Sequence, residues 1–375
     1  MSLMLGHKTC QRAHLDAIHV IPGDSTNKLV EEIVSSKTIN YGVTEIYETN
    51  QTMRKHCKKL GIPFRSLGFN EKNLSKQFVY LAYSIVKDNP KIIFLHSFYP
   101  SLLGIGLVFL FPRIKVVSVR HHNQVHILSK NRKGIFLDRI IARVTHTTVA
   151  VSSAVKDTMI SQGCKPKKIV VIYNGIKSSQ LVMNRVQNSS RNSRLRLLAA
   201  GRIDWQKNYE TMLQVVGELN RLGVDFNLTI LGSGNELYQS KLIEMTAKLN
   251  LYEKVNWLGW QPRVDEWFAE SDIFLHTALD EACPLILIEA LMIGIPIVSS
   301  NSGGSREVLS PQYLGCPSKD VASFVNQILL TWDNIVEFRS AAESYIPVAE
   351  NKFGAERMRR EYELKTLELL NHPFP

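Results

Sequence analysis

The chain lacks an apolar stretch long enough to span a bilayer. Its longest run, Leu102 to Phe111 between Ser101 and Pro112, falls well short of the roughly 20 residues that a membrane-crossing helix needs. His7, Lys8, Arg12 and Asp16 stand where a secretory leader would hold a continuous apolar core, so export is not expected. Cysteine is scarce: Cys10, Cys57, Cys164, Cys283 and Cys316 are odd in number, scattered, and form no C-x-x-C pair. That argues against a disulfide framework or a zinc site and for reduced thiols in the cytoplasm. No two aspartates stand one residue apart, so the D-x-D device that holds Mn²⁺ or Mg²⁺ is missing and no metal ligand set is expected. Internal repeats and helix-turn-helix, zinc or RNP-like motifs are missing as well.

Acidic residues are short only in one half. Residues 1–200 hold 30 Lys and Arg against 10 Asp and Glu, a net charge of +20, whereas the rest of the chain carries −9 to give +11 overall. A basic half points to an anionic partner such as a membrane leaflet or a phosphorylated substrate, with solvated lysine faces as the plain alternative. Nucleic acid is the weakest of the partners, because the basic residues in Arg54 to Lys59, Lys130 to Lys133 and Lys165 to Lys168 are not interleaved with aromatics.

With 375 residues, 45% of them hydrophobic and 21% charged, the chain is neither a disordered tail nor a multispan membrane protein. Its length favours two domains. Val182 to Arg196 is rich in Asn, Ser and Arg and reads as the linker, which sets one domain at 1–181 and a second at 197–352. In the second half, strand-like runs at Leu195–Ala200, Phe226–Leu231, Lys254–Leu258, Ile273–His276 and Ile295–Ser299 alternate with helical stretches such as Tyr209–Leu222 and Leu237–Leu249. The first half shows the same rhythm at Ala17–Ile21, Lys91–His96, Ile114–Val119, Thr147–Val151 and Lys168–Tyr173. Strict alternation predicts α/β architecture: two doubly wound parallel sheets facing across a cleft, with ligands beyond the carboxyl ends of the strands.

The densest chemistry lies in Asp280 to Gly294. Pro284 suits the first turn of a helix and Gly294 its C-terminal cap, and every residue between them is apolar except Glu289. Such a helix should be buried, so Glu289 should have partners: an internal salt bridge, or a ligand diol such as a ribose. Glu281 stands before the helix, whose free first-turn amides suit a phosphate. Arg202 and Lys207 follow the strand Leu195–Ala200; together with those amides they could neutralise a diphosphate without a metal ion.

These segments resemble family-four retaining glycosyltransferases of the GT-B fold. The resemblance runs over residues 148–310, through Val151 to Val155, Val171 to Ile176, Gly201-Arg202 with Lys207, Leu231 to Gly234, Trp257 to Gly259, Ser271 to Phe274, the Glu281/Glu289 pair and Ser302 to Glu307. It implies that Arg202 and Lys207 hold the donor diphosphate, Glu289 the ribose and Glu281 the transferred sugar. Gly232, Gly234, Ala282, Cys283, Pro284, Leu285, Gly303 and Gly304 would complete the donor pocket. His121 or His122 would face the sugar and acceptor. Where the family has a glycine-rich acceptor loop, this chain offers only Gly23. The resemblance also implies a C-terminal helix, placed at 353–375, crossing back to the first domain. No cofactor is implied, only a nucleotide diphosphate sugar as donor, a UDP-sugar foremost, with a polysaccharide, lipopolysaccharide or lipid-linked acceptor. A nucleotide-sugar epimerase and a catalytically silent nucleotide-sugar-binding protein are the alternatives on the same fold.

Overall fold

A computed structural model describes residues 15–23, 27–47, 51–69, 73–178, 194–309 and 315–371. The 182–193 part of the expected linker lies outside them, as does Cys10; the other four cysteines are buried and free.

The first sheet contains β1 (Ala17–Ile21), β2 (Tyr41–Glu45), β3 (Phe64–Ser66), β4 (Ile92–His96), β5 (Lys115–Arg120), β6 (Thr147–Ala150) and β7 (Ile169–Val171), in the order β3-β2-β1-β4-β5-β6-β7. The second contains β8 (Leu195–Ala200), β9 (Phe226–Leu231), β10 (Val255–Gly259), β11 (Ile273–His276) and β12 (Ile297–Ser299), in the order β10-β9-β8-β11-β12. Every pairing is parallel, as βαβ crossovers require. Because β1 and β4 are covered on both faces, they are apolar apart from one histidine each, and β5 is buried as well although Lys115, Ser118 and Arg120 accompany its three valines. Strand order reverses between β1 and β4, and again between β8 and β11. These two switch points are where crevices open in doubly wound sheets.

The C-terminal helix Ala355–Asn371 packs on the first domain, against helix Asn27–Val34 and β4. Tyr41 Oη and Thr366 Oγ1 lie 3.1 Å apart, and the buried Lys115 ammonium donates to the Leu369 carbonyl. Ile176 N donates to Phe353 O at 2.9 Å and Ala355 N to Ile176 O at 2.9 Å, which fixes where the chain turns back. One apolar cluster consequently runs from Val149 and Ile172 through Leu287 and Phe353 to Tyr362, joining the two halves.

Candidate active site

The loop after β8 is built to deliver Lys207. The Asp204 carboxylate accepts from the Gln206 amide at 2.9 Å and starts a 3-10 turn over Trp205–Lys207. Asn208 ends that turn at φ 53°, and its side-chain amide donates to Thr277 O at 3.1 Å and Ser318 O at 2.7 Å. Leu279 N donates to Gln206 O at 2.8 Å. The loops after β8 and β11 are thereby fastened together, and the Lys207 ammonium meets the Glu281 carboxylate.

The same carboxylate oxygen of Glu281 lies 3.0 Å from His276 Nε2, whose ring is held through Nδ1 by Ser299 Oγ at 3.0 Å. Burial pushes the pKa of Glu281 up, but the Lys207 charge and the His276 hydrogen bond outweigh it and hold the value at about 2. The second cation is arranged differently: Arg202 is largely exposed and pairs with Asp204.

Glycines make the close approaches around this centre. A Cβ on Gly232 would overlap the Gly201 carbonyl and one on Gly234 the Ile203 carbonyl, so these two shape the loop that carries Arg202. Gly304 N donates to Glu281 O at 2.7 Å, and a Cβ there would overlap Ala282 O. Gly303, at φ 50°, packs against Asp280 and Asn123.

Helix Leu285–Ile293 begins one residue later than the sequence suggests, with the buried Pro284 as its N-cap and no capping side chain. Cys283 O accepts from Asn174 Nδ2 at 3.2 Å. The expectation that this helix is buried all round needs correction, as does the internal salt bridge offered as one partner of Glu289. Leu285, Ile286 and Glu289 are only half-buried, and Glu289, Met292 and Ile293 face a cavity of about 390 Å³ lined also by Lys28, Lys177, Pro262 and Asp265. Among the described residues no hydrogen bond or ion pair reaches Glu289. Burial raises its pKa, Lys28 partly counters, and Asp265 adds to the rise.

From the first domain, the end of β5 brings His121 and His122 into a cleft of about 170 Å³ together with Arg202, Lys207, Glu281 and Ala282. The two histidines differ in their anchors. His121 Nε2 lies 3.1 Å from His96 Nδ1, whereas His122 Nε2 lies 3.1 Å from Asp138 Oδ1. Asp138 also holds His126 Nδ1 at 2.9 Å and Arg120 at 3.4 Å; with the guanidinium in contact, the His122, His126 and Asp138 group is a salt-bridged anchor for the loop. Gly23 follows β1 at φ 92°, and residues 24–26 beyond it lie outside the described residues.

The contacts of four functional-site residues escaped the sequence reading, although Asp280 and Glu307 stand in stretches it singled out. Asp280 accepts from Asn123 Nδ2 and from Gln124 N, both at 2.7 Å, across the two domains. Thr158 Oγ1 steadies the Asn123 side chain by donating to its Oδ1 at 2.6 Å. Glu307 accepts from Ser153 N at 2.9 Å, Ala154 N at 2.6 Å and Tyr173 Oη at 2.6 Å, capping a helix of the opposite domain. His276 is the fourth. Its position at the carboxyl end of β11 was the available signal.

Residues 47–180 match the family described as Glycosyltransferase Family 4, and residues 183–345 match Glycosyl transferases group 1. The chain is 23% identical to an uncharacterized 41.2 kDa protein of the cps region of Klebsiella pneumoniae, over 80% of this chain and 85% of that one. It is 26% identical to N-acetylgalactosamine-N,N'-diacetylbacillosaminyl-diphospho-undecaprenol 4-alpha-N-acetylgalactosaminyltransferase of Campylobacter jejuni, over 43% of this chain and 42% of that one. The fold matches Anabaena HepE, solved with UDP and glucose, at a TM-score of 0.76 and 16% identity, covering 95% of this chain and 100% of that one. With both halves of the chain matched in order, and two parallel sheets facing each other as in the GT-B fold, the protein belongs to the family-four glycosyltransferases and is a glycosyltransferase.

Proposed function

We propose that the enzyme moves a sugar from a nucleotide diphosphate sugar, a UDP-sugar in the first instance, onto a polysaccharide, lipopolysaccharide or lipid-linked acceptor, with retention at the anomeric carbon and without a metal ion. The observation that carries this reading is the convergence of Lys207, Glu281 and His121 on one cleft beside an uncapped helix start. Arg202, Lys207 and the amides after Pro284 take the diphosphate. Charge grows there as the bond to the sugar breaks, and a preorganised donor or cation is worth roughly 3–4 kcal/mol at that moment. Lys207 then leaves Glu281 for the phosphate, and Glu281 is released to the sugar hydroxyls. Glu289, unpaired beside a cavity large enough for a nucleoside, takes the ribose diol. Ala282, Cys283, Leu285, Gly303 and Gly304 form the wall between them. His121 faces the sugar, His122 fixes the loop through Asp138, and Gly23 lies on the acceptor side. UDP and glucose in the HepE structure and the diphospho-undecaprenol acceptor named for the Campylobacter relative support the donor and acceptor classes.

The basic first domain would dock on an anionic membrane. Helices Leu74–Asp88, Phe98–Leu110 and Arg132–Val144 pack side by side and expose Val79, Tyr80, Tyr83, Val86, Phe109, Leu110 and Phe136, amid exposed Lys76, Lys87, Arg113, Lys130, Arg132 and Lys133. Apolar side chains ringed by cations suit a lipid surface, each cation adding about 1 kcal/mol near anionic headgroups. No helix among the described residues is long and apolar enough to cross a membrane.

The test is incubation of purified protein with a panel of radiolabelled nucleotide sugars and a diphospholipid-linked acceptor, in chelator and in Mg²⁺. Transfer with retained configuration, unaffected by chelator, is expected. Inversion, dependence on metal, or no transfer from any donor would refute it. Flotation with anionic and neutral vesicles at low and high salt tests the docking face separately.

A further inference from the structure

Three imidazoles from three neighbouring strands form a file that runs from the middle of the first sheet to the cleft. His19 sits at the centre of β1, His96 ends β4, and His121 follows β5. His19 Nδ1 lies 2.9 Å from His96 Nε2, and His96 Nδ1 lies 3.1 Å from His121 Nε2. His19 and His96 are fully buried, stacked with Phe94 and with Tyr362 of the C-terminal helix. Two core histidines are unexpected here, since an aromatic hydrocarbon would fill the same space with no polar atom to satisfy.

The inner end sets the direction of the file. His19 Nε2 is buried with no hydrogen-bond partner. A buried N–H without an acceptor is the rarer fault than an unused lone pair, so the His19 proton belongs on Nδ1, donated to His96 Nε2. A neutral His96 must then carry its own proton on Nδ1 and donate it to His121 Nε2. Burial keeps the inner rings neutral: it lowers the His19 pKa to about 3, and it lowers that of His96 well below the usual value, helped by the neighbouring His19 and His121.

We propose that His19 and His96 are positioning residues that lock His121 in its Nδ1–H tautomer, a neutral hydrogen-bond donor at the cleft wall. The proposal rests on reading the cleft as the donor-sugar site. A neutral donor there can hold a sugar oxygen without adding a third cation beside Arg202 and Lys207 or a new partner for Glu281 and Asp280.

Solution NMR of the full chain labelled with ¹⁵N,¹³C-histidine reads the tautomers directly. His19, His96 and His121 should all be neutral and protonated at Nδ1 near pH 7. In His96→Leu, His121 should leave that tautomer, and kcat should fall about tenfold, the value of one ordinary hydrogen bond, with KM for the donor nearly unchanged. In His96→Asn the side-chain amide sits where Nδ1 was, so both the tautomer and most of kcat should return. Protonation of His121 at Nε2 in the wild type would overturn the proposal, as would an unchanged tautomer in His96→Leu or equal kcat in the two variants. If His96→Leu does not fold, the wild-type spectrum decides alone. Absence of sugar transfer by the wild type would sink the functional reading, while the spectra would still judge the file of rings.

Discussion

Replacing Lys207 with methionine isolates the electrostatics of the candidate site. The side chains of Lys207 and Glu281 are 19% and 13% exposed, so Lys207→Met leaves a nearly buried carboxylate with His276 as its remaining partner. Removing one member of a buried pair costs about 3–5 kcal/mol, and the surviving His276 contact places this case at the low end, about 3 kcal/mol. The ionisation of Glu281 gives the same size: a carboxyl that titrates at about 2 in the folded protein instead of 4.5 favours folding by about 3 kcal/mol at 1.36 kcal/mol per tenfold. Because the folded pKa is the lower one, the stabilisation is complete above pH 4.5 and is lost as pH falls toward 2. Thermal unfolding followed by circular dichroism should show Lys207→Met melting roughly 4–8 °C below wild type at pH 7, with the gap narrowing below pH 4.5. Adding Glu281→Gln should recover most of the loss, since no uncompensated charge then remains. A melting point equal to wild type at pH 7, or a deficit of the same size at pH 7 and pH 3.5, would refute the reasoning.

Glu289→Gln should stabilise the protein at pH 7, because burial raises the carboxyl pKa and makes the ionised form unfavourable in the fold; the gain should shrink as pH falls toward 4.5 and be absent below it, while affinity for free nucleotide diphosphate drops, and a lower melting point at pH 7 would count against an unpaired Glu289. Gly304→Ala and Gly232→Ala each force a Cβ into a backbone carbonyl and should cost about 3 kcal/mol or more, visible as poor yield or a much lower denaturation midpoint; near-normal stability of either would disprove the close approach. Asn123→Ala strips a donor from the buried Asp280 and should cost about 1–3 kcal/mol while enlarging the radius of gyration in small-angle scattering; unchanged dimensions would mean that the contact does not hold the domains together.

The second sheet was nearly transparent in the sequence. Leu195–Ala200, Phe226–Leu231 and Ile273–His276 are strands with the expected ends, because parallel strands covered on both faces are short apolar runs between turn residues. In the first half, β2 and β3 went unread: β2 carries Gly42, Thr44 and a buried Glu45, and β3 is three half-buried residues with no apolar run. The site was legible as composition but not as pairing. Lys207 and Glu281 were both visible, yet their contact spans 74 residues, and the Asn123–Asp280 contact spans 157. No periodicity encodes contacts at that range. His19 looked like one more strand residue, since a core histidine announces itself only through its neighbours.

The two consecutive acids Asp280 and Glu281 divide the site between the domains. Asp280 is held by Asn123 and Gln124 of the first domain, Glu281 by Lys207 and His276 of the second. A hinge opening that separates the sheets must break the two bonds to Asp280, but it leaves both partners of Glu281 where they are. The charged Lys207, Glu281 and His276 group is therefore assembled within the second domain alone. The placement of His121 is different: its loop adjoins Asn123, so its position over Glu281 depends on closure. On the proposed function, a donor would thus meet a ready-made charged group first, with His121 brought over it by contacts of the first domain.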